Sequence, residues 1–403
     1  MRRVVITGCG SINALGSNLE ETWESLAEGK DGIRELDIRD KERLLSRIGG
    51  QVDLSKIKNN NLNPENYSHL DKSTLFAILA SRQAIQSSGI DFHKYEYASS
   101  AIVLGTAGGG LITQDENFRK VYQERKNRVH PLTIPKLMHN ASASHISIEN
   151  NISGPVFTIS TACSSSSHAI GQAFSMIRSG QVLAAISGGF ESMLCFGGLK
   201  AWESLRIMSQ EKCRPFCATR DGMIQGEGAT IFILEDLQHA LRRGAKIYAE
   251  IAGFSMSSDA SDLMSPSFDG LVRAMKLAMD DAKFNLEDID YINAHGTGTT
   301  LNDKTESSAI KSLFGKKNSK YFVSSTKSMH GHLMGGSGAI ELLACILALN
   351  KGILAPTINF VKPDPFCDIN IVKNSAVENN AERVISNSFA FGGLNAVIAL
   401  KRF

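Results

Sequence analysis

Short unbroken apolar runs recur along the chain at residues 4–7, 183–187, 230–234 and 396–400. Runs of that length without polar alternation mark strands buried on both faces. Between them the apolar positions switch to helical spacing, over residues 19–28, 75–88, 270–282 and 339–349. Strands alternating with helices in this way predict an α/β fold whose sheets are covered by helices. Residues 34–64 break the pattern. They are charged and polar (Lys41-Glu42-Arg43, Asn59-Asn60-Asn61) and are expected to run over the surface.

The pattern also echoes itself. Ile159-Ser160-Thr161-Ala162-Cys163-Ser164 is matched by Val323-Ser324-Ser325-Thr326-Lys327-Ser328, and Ala101-Ile102-Val103-Leu104-Gly105-Thr106 by Tyr291-Ile292-Asn293-Ala294-His295-Gly296-Thr297. Each is a strand running into a turn of small residues. Two related halves are therefore expected, 1–250 and 251–403.

Composition narrows the class. At 403 residues, 42% hydrophobic and 21% charged, with 35 Gly and 9 Pro, the chain is globular and larger than a usual single domain. A net charge of +2 argues against nucleic acid as a partner, because neutralising phosphates takes a concentrated basic face. The seven cysteines are odd in number and scattered, which predicts reduced thiols in the cytoplasm and no disulfide framework. Val4-Val5-Ile6 is too short for a signal-peptide core, and the 339–349 stretch, interrupted by Glu341, is too short for a membrane span. Neither export nor membrane insertion is expected.

Cys163 follows an apolar run (Val156, Phe157, Ile159) and precedes a helical pattern (Ala169, Ile170, Ala173, Phe174, Ile177) that stops at Gly180. A thiol at a helix N-terminus is favoured as thiolate, the attacking species. By position alone it is either a nucleophile or a buried structural cysteine. Three further loops of glycine and small polar residues stand out: 293–299 around His295, 327–338 around Lys327 and His332, and 387–395 with Phe389 and Phe391. One cysteine, two histidines and a lysine on such loops suit acyl transfer. His330, His145 and His168, taken singly, are ordinary structural histidines. Zinc ligation by His330, His332, Cys213 and Cys217 lacks a second ligand pair at metal-site spacing. The glycine-rich stretches 105–110 and 335–338 fit neither nucleotide-binding fingerprint.

In order and spacing these motifs resemble the β-ketoacyl-acyl carrier protein synthases, in their synthase II branch. The resemblance runs from Val4-Val5-Ile6-Thr7-Gly8 through Arg214-Pro215-Phe216, Arg220-Asp221-Gly222 and Gly226-Glu227-Gly228-Ala229 to Asn387-Ser388-Phe389. Lys200-Ala201-Trp202-Glu203 and Ser325-Thr326-Lys327-Ser328-Met329-His330-Gly331-His332 look closest to the nodulation-type and polyene-type condensing enzymes. The resemblance implies a thiolase-like fold of two α-β-α-β-α halves in a five-layered arrangement, forming a homodimer without cofactor or metal. It implies that Cys163 takes an acyl group from an acyl carrier protein, and that His295 and His332 stabilise the enolate left when malonyl-carrier protein loses carbon dioxide. The backbone N–H groups of Cys163 and Phe391 would hold the oxyanion, Lys327 would pair with a buried Glu306, and Thr297 and Thr299 would bond the pantetheine arm.

Some positions depart from that branch. Gly108 and Thr133 stand where bulky side chains are usual, so open apolar volume is expected beside Cys163, in a pocket shared with Phe389 and Phe391. Arg206, Lys126 and Arg128 are the basic residues expected to dock the carrier protein. Tyr67-Ser68-His69 replaces part of the usual basic cluster, and Met264 replaces a hydroxyl residue at the pantetheine entrance. A thiolase would need a second cysteine where Phe389 and Phe391 stand, and retention of Cys163, His295 and His332 argues against a non-catalytic partner subunit.

Overall fold

Ten strands form one sheet in the computed structural model, which describes residues 1–58, 67–315 and 320–403. In chain order they are β1 (Val4–Asn13), β2 (Ala101–Gly105), β3 (Val156–Ile159), β4 (Ala184–Glu191), β5 (Gly228–Asp236), β6 (Ala249–Ser258), β7 (Tyr291–Asn293), β8 (Phe322–Ser324), β9 (Arg383–Ala390) and β10 (Leu394–Lys401). Across the sheet they run β8-β7-β9-β10-β6-β1-β5-β4-β2-β3. Outward from the centre, β1-β5-β4-β2-β3 on one side is answered by β6-β10-β9-β7-β8 on the other, the same order twice. The echoed sequence pairs fall on equivalent strands, β2 with β7 and β3 with β8. The two sets meet where Val4, Val5 and Ile6 pair with Ile251, Glu250 and Ala249.

Helices cover both faces of each set. Lys72–Ser88 packs on β1 and β5 from outside, and Phe268–Ala282 packs on β6 and β10. Between the sets lie Ser165–Arg178 and Ser337–Lys351, which touch each other and strands of both sets. The layers are thus α-β-α-β-α, as expected. Burial on both faces explains the unbroken apolar runs. In β5, Ile231 and Ile233 pack toward Lys72–Ser88, while Phe232 and Leu234 face the central helices.

β1 extends well past the apolar run at 4–7 because small residues suit its outer face. A Cβ at Gly8 or Gly10 would strike the carbonyl oxygens of Ala84 or Ala80. The absence of side chains there lets Lys72–Ser88 approach closely. The stretch 34–64 is less of a surface excursion than its charge suggests. Leu36 and Leu44 pack in a buried cluster with Leu194 and Leu199, and Asn59–Asn61 and Pro64 lie outside the described residues. Among the described residues no helix is long and apolar enough to cross a membrane.

Candidate active site

The loops at the ends of β3, β7, β8 and β9 converge. After β3 the chain turns sharply, with Ala162 left-handed at φ 50°, before the helix Ser165–Arg178 begins. A non-glycine residue held there costs roughly 1–2 kcal/mol, and the turn is tied to keep it. The Ser165 hydroxyl donates to Ala162 O (2.6 Å) and accepts the Thr161 N–H (2.9 Å), while the Ser164 hydroxyl donates to Thr161 O and Leu394 O. Cys163 is presented at the tip, buried.

His295 and His332 arrive from the other strand set. Their rings meet edge to face at 5.5 Å, and the ligand atoms of Cys163, His295 and His332 all lie within 4.8 Å of one another. Such spacing would admit a metal, but the protonation wiring opposes it. His332 Nδ1 accepts the Met334 N–H at 3.1 Å and faces the Ser337 hydroxyl at 2.8 Å. His295 Nδ1 faces the Lys327 ammonium at 3.4 Å. With donors on Nδ1, each neutral ring carries its proton on Nε2, the reverse of a metal-bound histidine, which donates from its outer nitrogen. Burial and the neighbouring Lys327 hold both imidazoles well below the ordinary histidine range, so both are neutral.

The expected Lys327–Glu306 pair does not form. Lys327 is ion-paired with Glu341 and also donates to His295 O (2.5 Å), whereas Glu306 accepts the backbone N–H groups of His295 (2.8 Å) and Gly296 (2.7 Å). Glu306 therefore holds the histidine loop from below, and its burial pushes it up to about 7. Glu341, unassigned from sequence, had one signal: it is the carboxylate interrupting an apolar helix, and a charge there needs a partner. Nearby, Asn293 Oδ1, Asn387 Oδ1 and Glu341 Oε2 are buried without a hydrogen-bond partner.

The thiol also differs from expectation. Burial pushes Cys163 up to about 12, offset only in part by Lys327 and by the Phe391 N–H that points at the sulfur. The helix terminus does not make it a resting thiolate, because desolvation of a buried anion is the larger effect.

A cavity of about 360 Å³ reaches this centre, walled by Cys163, His295, His332, Thr297, Thr299, Phe389 and Phe391. Its mouth lies among Arg206, Leu263, Met264 and Leu301. The Thr297 and Thr299 hydroxyls are paired at 2.8 Å, and Gly392 takes the left-handed conformation at φ 81°, its N–H donating to Leu263 O. Among the expected docking residues, Arg206 is at the mouth. Lys126 and Arg128 are not in the cavity wall, and Lys126 is paired with Glu124 at 2.9 Å. Gly108 and Thr133 are likewise not in the wall. The volume expected at Gly108 is occupied, since a Cβ there would collide with Met193 Cε. Thr133 is buried, its hydroxyl donating to His130 O. Met193 had no signal in sequence, because it fills from the loop after β4 what Gly108 leaves empty in the loop after β2.

The chain is similar to known proteins along nearly all of its length. The family model "Beta-ketoacyl synthase, N-terminal domain" matches residues 1–240, and "Beta-ketoacyl synthase, C-terminal domain" matches residues 248–361. Nodulation protein E of Rhizobium leguminosarum bv. trifolii is 38% identical over 401 residues, covering 100% of this chain and 99% of the relative. The 3-oxoacyl-[acyl-carrier-protein] synthase 2 of Staphylococcus aureus (strain COL) is 36% identical over 409 residues, with coverage of 100% and 99%. Among solved structures, the ishigamide ketosynthase/chain length factor superposes with a TM-score of 0.93 at 32% identity, covering 100% of this chain and 99% of that one.

Proposed function

This chain belongs to the β-ketoacyl synthase family, and from that premise we propose that Cys163 is the acyl acceptor and His295 and His332 the enolate donors of its reaction. The chain is a β-ketoacyl-acyl carrier protein synthase. It condenses an enzyme-bound acyl group with a malonyl thioester, releases carbon dioxide and lengthens the acyl chain by two carbons in fatty-acid or polyketide elongation.

In the first half-reaction Cys163 Sγ attacks the carbonyl of the incoming acyl thioester, and the backbone N–H groups of Cys163 and Phe391 face the oxyanion. As the tetrahedral carbon collapses, the carbon–sulfur bond to the carrier's pantetheine breaks. The proton given up by Cys163 leaves on that sulfur. In the second half-reaction the malonyl carbon–carboxylate bond breaks and carbon dioxide departs, leaving its electron pair as an enolate. The enolate oxygen accepts from His295 Nε2–H and His332 Nε2–H. The carbanion then attacks the acyl-cysteine carbonyl, and Cys163 leaves as thiolate and is reprotonated. Thr297 and Thr299 hold the arm, and Lys327 positions His295.

Acyl carrier protein is the partner, and its acidic surface would meet Arg206 at the mouth. Exposed Phe118, Tyr122, Leu132 and Ile134 favour a homodimer, because apolar surface of that kind calls for a covering partner. Seven buried, unpaired cysteines are in keeping with a reducing cytoplasm.

The observation that carries this reading is that both Nδ1 atoms accept, which leaves both Nε2–H groups as donors beside the thiol. The test is a Cys163→Gln variant with malonyl-carrier protein. Retained carbon dioxide release with lost condensation is expected, and loss of both together overturns the division of roles.

A further inference from the structure

Glu191 closes β4 as a fully buried carboxylate that the chemistry above does not use, and each of its four hydrogen-bond partners is a neutral donor. Oε1 accepts the Thr106 hydroxyl (3.0 Å) and the Gly108 N–H (3.1 Å), while Oε2 accepts the N–H groups of Ala107 (2.8 Å) and Gly335 (3.0 Å). Three of these donors lie in the loop after β2. The fourth lies in the His332 loop, on the other set of strands. Gly335 makes the junction possible, because a Cβ there would fall 2.3 Å from Ala107 N. Only bare backbone lets both N–H groups reach one oxygen.

The fourth bond acts on His332. The Met334 N–H goes to His332 Nδ1, and the next N–H along the chain, that of Gly335, goes to Glu191. Met334, left-handed at φ 44°, turns the two groups toward different acceptors. Holding Gly335 therefore fixes Met334, and Met334 fixes which ring nitrogen of His332 carries the proton. An amide could not replace the carboxylate. Glutamine offers one oxygen and one NH2, so one pair of donors would face N–H groups.

We propose that Glu191 is a positioning residue for the decarboxylation step: its carboxylate clasps the loop after β2 to the His332 loop and so keeps the His332 Nε2–H aimed at the enolate. This rests on His332 being an enolate donor. Acyl transfer to Cys163 makes no use of that donor, and the negative charge of Glu191 disfavours the Cys163 thiolate. The two half-reactions should therefore respond differently to its loss.

In Cys163→Gln, adding Glu191→Gln should slow carbon dioxide release from malonyl-carrier protein roughly ten- to a hundredfold, the cost of a displaced catalytic group. With Cys163 intact, Glu191→Gln should become acylated at least as fast as the wild type, followed by intact mass. Nitrogen NMR of the His332 ring should show its proton on Nε2 in the parent and spread over both nitrogens in the variant. Should Glu191→Gln fail to fold, Thr106→Val, which deletes one donor and leaves the charge, must show the same split at smaller size. Unchanged carbon dioxide release, equal slowing of both half-reactions, or an unchanged ring tautomer overturns the proposal. His332→Ala in the Cys163→Gln background is the control: if it too releases carbon dioxide at the parent rate, the donor assignment itself falls.

Discussion

His332 accepts at Nδ1 the backbone N–H of Met334, two residues further along its own loop. That bond decides what the other face of the ring can do. An imidazole held this way offers Nε2–H and no lone pair toward the thiol, so it stabilises negative charge and does not collect the thiol proton. Met334 keeps a left-handed φ of 44° to deliver the bond.

Because both histidines are held well below the ordinary range, protonation should not touch them near neutrality. Followed by NMR at their ring protons, the imidazoles of His295 and His332 in Cys163→Gln are expected to stay neutral from pH 8 to pH 6, where an ordinary imidazole would become largely charged and where Glu306, at about 7, titrates. Protonation of either imidazole with a midpoint in that window would contradict the neutral pair. Wild-type alkylation by iodoacetamide should behave oppositely. With the thiol pushed up to about 12, its thiolate fraction grows about tenfold per pH unit through pH 7–9.

Lys327 and Glu341 form a buried pair, and losing one partner strands the other. Lys327→Ala should cost about 3–5 kcal/mol in denaturant unfolding. Adding Glu341→Gln removes the stranded charge, and most of that stability should return. Decarboxylation should stay at least about tenfold down in both variants, short of the loss expected from deleting a charge donor outright. Recovery of activity along with stability would show Lys327 to be purely structural.

Gly108 and Met193 share one volume. Gly108→Ile alone should overpack it, at about 1–3 kcal/mol, and Met193→Ala in the same chain should relieve the strain. Thermal melts of the four proteins test this. Strictly additive losses would mean that the two side chains do not compete.

Arg206 stands at the mouth, while Lys126 is bound to Glu124 outside the cavity wall. Arg206→Glu should raise KM for carrier-borne substrate, with kcat little changed, and the difference should shrink in high salt. A free pantetheine thioester should show no such change. Lys126→Glu is expected to have the smaller effect, and equal effects would place the carrier protein across both.

The legible parts of the molecule were those written locally. Cys163, His295 and His332 each follow an apolar strand on a loop of small residues, and that pattern needs no knowledge of the rest of the chain. The kinship of the two halves was legible for the same reason, through the Cys163/Lys327 and Gly105/His295 echoes, whereas the order of the strands was not. What failed were properties of packing. Glu341 supplants Glu306 as the partner of Lys327 because the fold brings one turn of the Ser337–Lys351 helix under the histidine loop. Met193 fills the space at Gly108 because β2 and β4 are neighbours, which no local pattern records. The thiol is not a resting thiolate because burial depends on everything around Cys163, whereas the helix terminus that predicts ionisation is visible in a few residues.

The mirrored strand order places the thiol on one set of five strands and both imidazoles on the other, with the seam between the two sets closed by Val4, Val5 and Ile6. Neither set holds a complete reaction centre. A chain split in the connection between β5 and β6 would give two mute fragments, and any turnover regained on mixing them would be a direct count of reassembled molecules.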